Sequence, residues 1–470
     1  MDLGIDRQAL VPVVQQIVSA VAQWIRENGV SPGTRLPSIR QLALDNLLSQ
    51  SSVIEAFERM VAQGLLAPRQ GAGFVVAHPP AAYEGHWYEG AEQVWGAFVD
   101  NPLGELKLGC GWLPDAWRES DDLSYAIREV SRTDTAGLFN YSTPLGLPAL
   151  REQLLKRLTR NHIASSLDRI LTTAGASHAQ DLLIRTLLKP GDSVVVETPG
   201  YGNLYRQLAF QGVRLLEVPR TRSGPDISAL EALLHTHHPK CLFTQSLYHN
   251  PTGTSLCRAV AERLLELAHR ENFLIIEEDV YADLQHASCT RLSALPHADR
   301  VIYVASFSKT LSSALRVGYL CASTAIITQL VGLKTLTGFG TSRFAEAVVA
   351  VLLANGTYRK WVQRLRKRLS AEMTATLQVL EDEEWEVFAV PAGGMFVWAR
   401  PAAGQQSRLQ ACARRLGVLL SPGALFSPTG ETSEWLRINV AYAGDQRALA
   451  LFRAMGPARS TSTFLKTTGV

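Results

Sequence analysis

The chain has few cysteines and nothing that pairs them. Cys110, Cys241, Cys257, Cys289, Cys321 and Cys412 are scattered along 470 residues, with no CxxC spacing and no histidine pair nearby. That argues against a disulfide scaffold or a structural zinc site and fits a reducing cytoplasm. Long apolar runs are missing as well: none approaches the roughly 18 residues that cross a bilayer. The opening MDLGIDRQALVPVV has neither the basic start nor the apolar core of a signal peptide, so a cytoplasmic protein without a membrane partner is expected. Excess charge is the third absence. The formal net charge is +3, and the first 78 residues hold six Arg, no Lys and six Asp or Glu, a net of zero. Bulk charge announces no nucleic-acid partner, so a motif has to. Repeats and low-complexity tracts are also lacking.

Core-forming material is plentiful. Hydrophobic residues make up 46% and charged residues 19%, a balance that excludes a disordered chain. At roughly 100–200 residues per domain the length allows two to four domains. Residues 1–78 read as helices followed by a hairpin. Helical spacing runs from about Pro12 to Glu27 through Val13, Ile17, Val21, Trp24 and Ile25, and Asn28-Gly29 stops it. Ser38 is placed to cap a short helix to about Asp45, and a third helix spans about Ser49 to Gln63. Strands at Leu65–Ala67 and Phe74–Val76 flank a glycine-rich turn. Residues 79–105 read as a linker, with a helix near Ala91–Val99 and aromatics (Tyr83, Trp87, Tyr88, Trp95) suited to packing. Across residues 106–470, β-rich runs at Ser193–Glu197, Val213–Val218, Cys241–Gln245, Phe273–Glu277 and Val301–Ala305 alternate with helical stretches. That alternation implies an α/β domain with a mostly parallel sheet. From about Ala458 the chain reads as a loose tail.

In an open α/β sheet, ligands gather at the carboxyl ends of the strands. Four strands here end in polar clusters: Thr172-Thr173-Ala174-Gly175-Ala176-Ser177, His249-Asn250-Pro251-Thr252-Gly253, Glu278-Asp279-Val280-Tyr281 and Ser306-Phe307-Ser308-Lys309. The first opens a helix, whose N-terminal amides can hold a phosphate. The second brings an amide, the third a carboxylate and the fourth a primary amine, with Arg316 beyond it as a second anion anchor. An amine, a carboxylate and a phosphate cradle are what pyridoxal 5′-phosphate (PLP) requires. Singly, each of these residues also has a structural role open to it, as cap, turn residue, core aromatic or ion-pair partner.

In order along the chain, Tyr141…Gly146…Leu150-Arg151, Glu197-Thr198-Pro199-Gly200-Tyr201, His249-Asn250-Pro251-Thr252-Gly253, Asp279-Val280-Tyr281, Ser306-Phe307-Ser308-Lys309…Arg316 and Leu436-Arg437-Ile438-Asn439 resemble the motifs of fold type I aminotransferases. The resemblance spans about three-quarters of the chain and implies a large domain with a smaller C-terminal α/β subdomain. It implies Lys309 as the Schiff-base lysine, Asp279 at the pyridinium nitrogen, and Asn250 and Tyr281 at the ring hydroxyl. It implies Tyr201 on the ring face and Gly175, Ala176, Ser306, Ser308 and Arg316 around the phosphate. Tyr141 would reach that phosphate from a partner subunit, and Arg437 would grip a carboxylate with its bidentate fork. Ala174 and Ala176 stand where relatives often carry hydroxyls, with Ser177 as the substitute. No metal is implied.

Residues 33–76 resemble the winged helix-turn-helix of the GntR superfamily through Gly33-Thr34-Arg35-Leu36-Pro37-Ser38-Ile39-Arg40-Gln41-Leu42-Ala43, then Ser49…Val53…Ala56-Phe57…Gly64-Leu65-Leu66…Arg69…Gly71…Gly73. The resemblance implies a double-stranded operator as partner. The helix from Ser49 would enter the major groove with Ser49, Gln50, Ser51 and Ser52 at its start, and Arg35, Ser38, Arg40 and Arg69 would lie close to the DNA. The wing glycines Gly71 and Gly73 would let the backbone approach the sugar-phosphate. Asn46 and Leu47 stand in place of the usual leucine and turn glycine. Gln50 replaces a frequent arginine, which suits adenine rather than guanine.

A winged helix fused to an aminotransferase-like domain resembles the MocR-type regulators. That architecture implies a homodimer with the DNA-binding domain crossed to the partner, and a regulator that senses PLP or an amino compound through aldimine formation. Turnover is left open, because the aminotransferase residues are retained. A working aminotransferase with an appended DNA-binding domain is the alternative, and a degenerate domain kept for dimerisation is disfavoured by those same residues.

Overall fold

The helical spacing at the start of the chain is realised as α1 (Val13–Glu27), whose Ile17, Val18 and Val21 are buried. This computed structural model describes residues 1–6, 12–28, 30–31, 33–62, 65–69, 73–77, 104–118, 120–285 and 290–457. The chain divides into two units, Met1–Val94 and Trp95–Val470. The expected linker helix, the C-terminal tail and Gly71 lie outside the described residues.

In the first unit, Ser38 caps α2 (Ile39–Asp45) by accepting from the Gln41 N–H at 3.2 Å. α3 (Gln50–Ala62) buries Val53, Ala56, Phe57 and Met60 at three- and four-residue spacing, the stripe that seats a helix on a core. Strands β1 (Leu66–Arg69) and β2 (Gly73–Val76) pair antiparallel, and Arg35 bridges to Val75 to widen this small sheet. Phe57 meets Phe74 edge-on at 5.0 Å, which locks helix to wing. The two departures at the helix-turn-helix corner have physical reasons. Asn46 takes the Leu3 N–H on its carbonyl at 2.7 Å and donates to the Met1 and Leu42 carbonyls at 2.9 Å, so it ties the N-terminal segment to the turn. Leu47 adopts φ 54°, a left-handed conformation that suits glycine.

The second unit is built on an eight-stranded sheet. Its strands are β3 (Ile170–Thr173), β4 (Ser193–Thr198), β5 (Arg214–Thr221), β6 (Gly224–Pro225), β7 (Cys241–Thr244), β8 (Leu274–Glu278), β9 (Val301–Ser306) and β10 (Gly318–Cys321), in the spatial order β3-β10-β9-β8-β7-β4-β5-β6. The run from β9 through β8, β7 and β4 to β5 is parallel. β10 is antiparallel to both its neighbours and is not legible as a strand in the sequence. Side chains alternate across the sheet: Val194, Val196 and Ile276 enter the core on one face, Val195 and Ile275 that on the other. A smaller antiparallel sheet follows, from β11 (Glu386–Val387), β12 (Phe396–Arg400), β13 (Ser421–Pro422) and β14 (Leu436–Asn439), ordered β11-β12-β14-β13. This is the expected C-terminal subdomain. No helix among the described residues is long and apolar enough to cross a membrane.

The strain at Leu47 is testable. A non-glycine residue in the left-handed region costs roughly 1–2 kcal/mol, and glycine gives back about 0.5–1 kcal/mol in unfolded-state entropy. Leu47→Gly should therefore slow hydrogen exchange in α2 and α3 by an opening free energy of about 0.5–1 kcal/mol. Unchanged or faster exchange would show that the Leu47 side chain compensates for its backbone.

Candidate functional site

The chain ends of β3, β7, β8 and β9 open on one cavity of about 600 Å³, a volume suited to a small molecule. At one end the helix Ala176–Leu187 starts after Gly175, whose φ of 88° turns the chain from strand into helix. A Cβ on Gly175 would fall 2.5 Å from Nη2 of Arg316, so the glycine makes room for the arginine. Arg316 donates to the Ala174 carbonyl at 2.9 Å and to the Ser308 hydroxyl at 3.2 Å. The Ser308 N–H in turn donates to Oγ of Ser306 at 3.2 Å. Ala176, Ser177, Ser306, Ser308 and Arg316 all line the cavity. His178 accepts the Ala174 N–H on Nδ1 at 3.0 Å, and burial pulls its pKa down, which keeps the ring neutral for that task. Sequence reasoning missed this residue.

Lys309 occupies the middle. Its amine donates to the Gly111 carbonyl at 2.7 Å. Desolvation, helped by the nearby positive charge of Arg437, lowers its pKa to about 8. Tyr201, Asn250 and Tyr281 line the same cavity, with Tyr281 set edge-on to Phe396 at 5.8 Å.

Arg437 reaches from the small sheet to Asn250, one of the lining residues. Its guanidinium lies 4.7 Å from the ring centre of Phe396 and 4.8 Å from that of Phe426. Nε and Nη2 donate to the Gly109 carbonyl at 3.1 and 2.7 Å, and Nη1 donates to Oδ1 of Asn250 at 2.8 Å. Nη1 and Nη2 each carry a further N–H, enough for a carboxylate. A Cβ at Gly111 would lie 3.5 Å from the Lys309 amine and 3.7 and 3.9 Å from the two terminal nitrogens of Arg437. Those are ordinary contact distances, so Gly111 is a close neighbour of both the amine and the guanidinium. Gly111, Trp112 and Gln245 carry no legible signal in the sequence, because they belong to no motif and matter through the fold.

Two of the expected residues do not line this cavity, and for Tyr141 that agrees with its expected reach toward a partner subunit. Asp279 is not among the residues that line the cavity. It is buried, with Oδ2 accepting from Arg291 Nε at 2.6 Å and from the Tyr303 hydroxyl at 3.1 Å. Glu278 lines the cavity instead. Tyr141 is 82% exposed and stacks on Phe339 at 5.6 Å, outside this chain's own cavity. The segment after it is fixed by Glu346, which accepts the Leu147 N–H at 2.8 Å and the Ser142 hydroxyl at 2.5 Å, and by Lys334, which donates to the Pro144 and Thr172 carbonyls at 2.8 and 2.9 Å.

The donor set fits PLP. An amine with a depressed pKa, a guanidinium and hydroxyls at a helix start, and an aromatic face at Tyr201 are the groups that cofactor needs.

In the first unit, Arg35, Arg40, Arg69, Gly73, Ser49, Gln50 and Ser51 are exposed, and none of the three arginines makes an ion pair among the described residues. The hydroxyls of Ser38 and Ser49 are committed to capping, Ser49 taking the Ser52 N–H at 3.1 Å and bonding the Ser51 and Ser52 hydroxyls. Ile54, 41% exposed and four residues beyond Gln50, adds an apolar group to that face which sequence reasoning missed.

Residues 104–451 match the family described as aminotransferase class I and II, and residues 13–76 match the gntR family of bacterial regulatory proteins. The chain is 26% identical over 458 residues to YisV, an uncharacterized HTH-type transcriptional regulator of Bacillus subtilis (strain 168), covering 93% of this chain and 94% of the relative. It is 26% identical over 387 residues to the HTH-type transcriptional regulator NorG of Staphylococcus aureus (strain USA300), covering 77% and 86%. Among solved structures, Pyrococcus horikoshii kynurenine aminotransferase, in complex with PMP, superposes with a TM-score of 0.73 at 25% identity, over 81% of this chain and 96% of that one. LysN, an α-aminoadipate aminotransferase from Thermus thermophilus, gives 0.70 at 26% identity, over 78% and 96%. The chain belongs to the aminotransferase class I and II family and carries ahead of that domain the helix-turn-helix of gntR-type regulatory proteins, the arrangement of MocR-type regulators.

Proposed function

We propose that this protein is a transcriptional regulator that binds an operator through the start of α3 and the arginines around it, and that its large unit reads PLP or an amino compound held there. The observation that carries this reading is the approach of the Lys309 amine and the Arg437 fork to one residue, Gly111, in a chain that also carries a winged helix whose Arg35, Arg40 and Arg69 make no ion pair among the described residues. When bound, PLP supplies an aldehyde that amines capture and an electron-withdrawing ring. The chain's own residues do the rest. Ser177, Ser306, Ser308 and Arg316 would hold the phosphate beside the helix start. Tyr201 would cover the ring face, and Asn250 and Tyr281 would hydrogen-bond the ring hydroxyl. Lys309 gives up its proton to become a nucleophile, and Arg437 takes the carboxylate of an effector.

The protein acts in the cytoplasm as a homodimer. The stacked Tyr141 and Phe339, with Phe139 and Leu336 also exposed, are the kind of apolar surface that self-association covers. Tyr141 then completes the phosphate cradle of the partner subunit, and the winged helix crosses to that partner. A working aminotransferase is the second reading, favoured by Lys309, Asn250 and Tyr281 in one cavity with Arg437 hydrogen-bonded to Asn250.

Operator binding by apo protein, PLP-bound protein and PLP-bound protein with candidate amino acids, at matched salt, separates the two. A regulator should show about 5–150-fold differences in DNA affinity between states. Equal affinities together with sustained turnover of a keto acid would favour the enzyme. Arg40→Ala should weaken operator binding, and Gln50→Ala should relax preference at one base pair by roughly 1–3 kcal/mol. Unchanged binding in both folded variants would remove this segment as the reader.

Only the neutral amine of Lys309 attacks a carbonyl, so the rate of PLP uptake by apo protein should rise with pH through about 8. An ordinary lysine would place that rise near 10.4, and stopped-flow absorbance measures it. Gly111→Val should leave PLP uptake intact while weakening amino-acid binding by at least about tenfold, measured by calorimetry on the PLP-bound protein.

A further inference from the structure

Successive side chains of a strand point to opposite faces of its sheet. In β8, Ile276 enters the core beside the helix Ala176–Leu187, whereas Ile275 enters the core on the other face. The same alternation sends Glu278 to the cavity face and Glu277 and Asp279 away from it. The hydrogen bonds agree. Glu277 accepts from the Leu292 and Ser293 N–H groups at 2.8 and 2.9 Å, and from the Ser246 and Ser293 hydroxyls. Asp279 is held through its Oδ2 by Arg291 and Tyr303, its Oδ1 has no partner among the described residues, and the residue is not one of those that line the cavity.

Glu278 has different neighbours. It lines the cavity with Lys309 and Tyr201, and its Oε2 accepts from Nε2 of Gln245 at 2.8 Å. Its other oxygen takes no hydrogen bond from the described protein. Gln245 cannot turn over, because its Oε1 already accepts the Asn250 N–H at 2.6 Å. The amide therefore presents its NH₂ to Glu278 and fixes the carboxylate with one oxygen free toward the cavity. Burial raises the pKa of Glu278, while Gln245 and the charge on Lys309 oppose that rise. A cation placed against the free oxygen would act in the same sense.

We propose that Glu278, oriented by Gln245, is the carboxylate that meets the pyridine nitrogen of PLP, and that Asp279 serves a structural ion pair with Arg291. The proposal rests on the reading that this cavity binds PLP. A carboxylate against the ring nitrogen favours its protonated form, so removing the charge makes that proton easier to lose. Asp279 is instead committed to Arg291, and its loss would take the carboxylate from a buried ion pair, which destabilises the fold.

The test compares full-length wild type, Glu278→Gln, Gln245→Met and Asp279→Asn. For each, the pH profile of the absorbance of bound PLP, the PLP dissociation constant and the melting temperature of the apo protein are measured. Glu278→Gln should shift the absorbance profile to lower pH and weaken PLP binding about tenfold or more, as a change of one pKa unit implies. Gln245→Met should shift the profile in the same direction by less, with the Glu278 charge retained. Asp279→Asn should keep the wild-type profile and lower the melting temperature. A larger profile shift in Asp279→Asn than in Glu278→Gln overturns the assignment, as does an unchanged profile in both Glu278→Gln and Gln245→Met. Wild-type protein that takes up no PLP at all overturns the cofactor reading beneath it.

Discussion

Two positive side chains, Lys309 and Arg437, converge on Gly111, and the surrounding architecture is arranged around that repulsion. Lys309 is weakened as a base by desolvation and by Arg437, and each cation is held by a backbone carbonyl, Gly111 for the amine and Gly109 for the guanidinium. The loop Gly109–Trp112 thus acts as a neutral spacer between like charges. Aromatic rings on both sides of Arg437 supply the compensation that water would otherwise give. Among the described residues, two carboxylates line the cavity, Asp115 and Glu278. An anion that enters joins a site already arranged for negative charge, and little reorganisation is needed when it binds.

Beneath this site, polar groups are kept in order by pairing rather than by exposure. Glu197 and Arg220 form a buried ion pair at 2.6 Å, with Thr244 also donating to Glu197 and Thr254 accepting from Arg220 at 3.0 Å. His249 sits beside them with its pKa pushed down by burial and by Arg220, so it stays neutral. Such a network adds little stability over an apolar core, but leaving one partner unpaired is costly. It fixes the turn that carries Asn250 and leaves few alternatives for its side chain.

Much of this can be read from the sequence, and the shortfalls have physical causes. The parallel strands are legible because buried β-branched runs alternate with helical periods. β10 is not, because its residues Gly318–Cys321 carry no such run and its antiparallel pairing is a tertiary fact. Lys309 and Arg316 can be placed because they follow a strand end, whereas the role of Tyr281 and the choice of Arg437 come from the resemblance to aminotransferase motifs. The carboxylate is harder: Glu277, Glu278 and Asp279 are consecutive, and composition cannot choose among them. Counting alternation outward from Ile276 favours Glu278, since a shift of one residue reverses the face. Gly111 lies beyond any such count, as its importance comes from two side chains that reach it from distant strands.

Arg437 belongs to the small sheet, whereas Lys309 follows a strand of the large one. A ligand with an amine at one end and a carboxylate at the other would therefore add a clamp between two layers already joined by the Gly200 N–H on the Phe426 carbonyl at 2.9 Å and by Arg437 on Asn250. Its length matters as much as its charge. A molecule too short draws the layers together, and one too long props them apart. The cavity can in this way act as a gauge of molecular span, converting the distance between two functional groups into a separation between sheets.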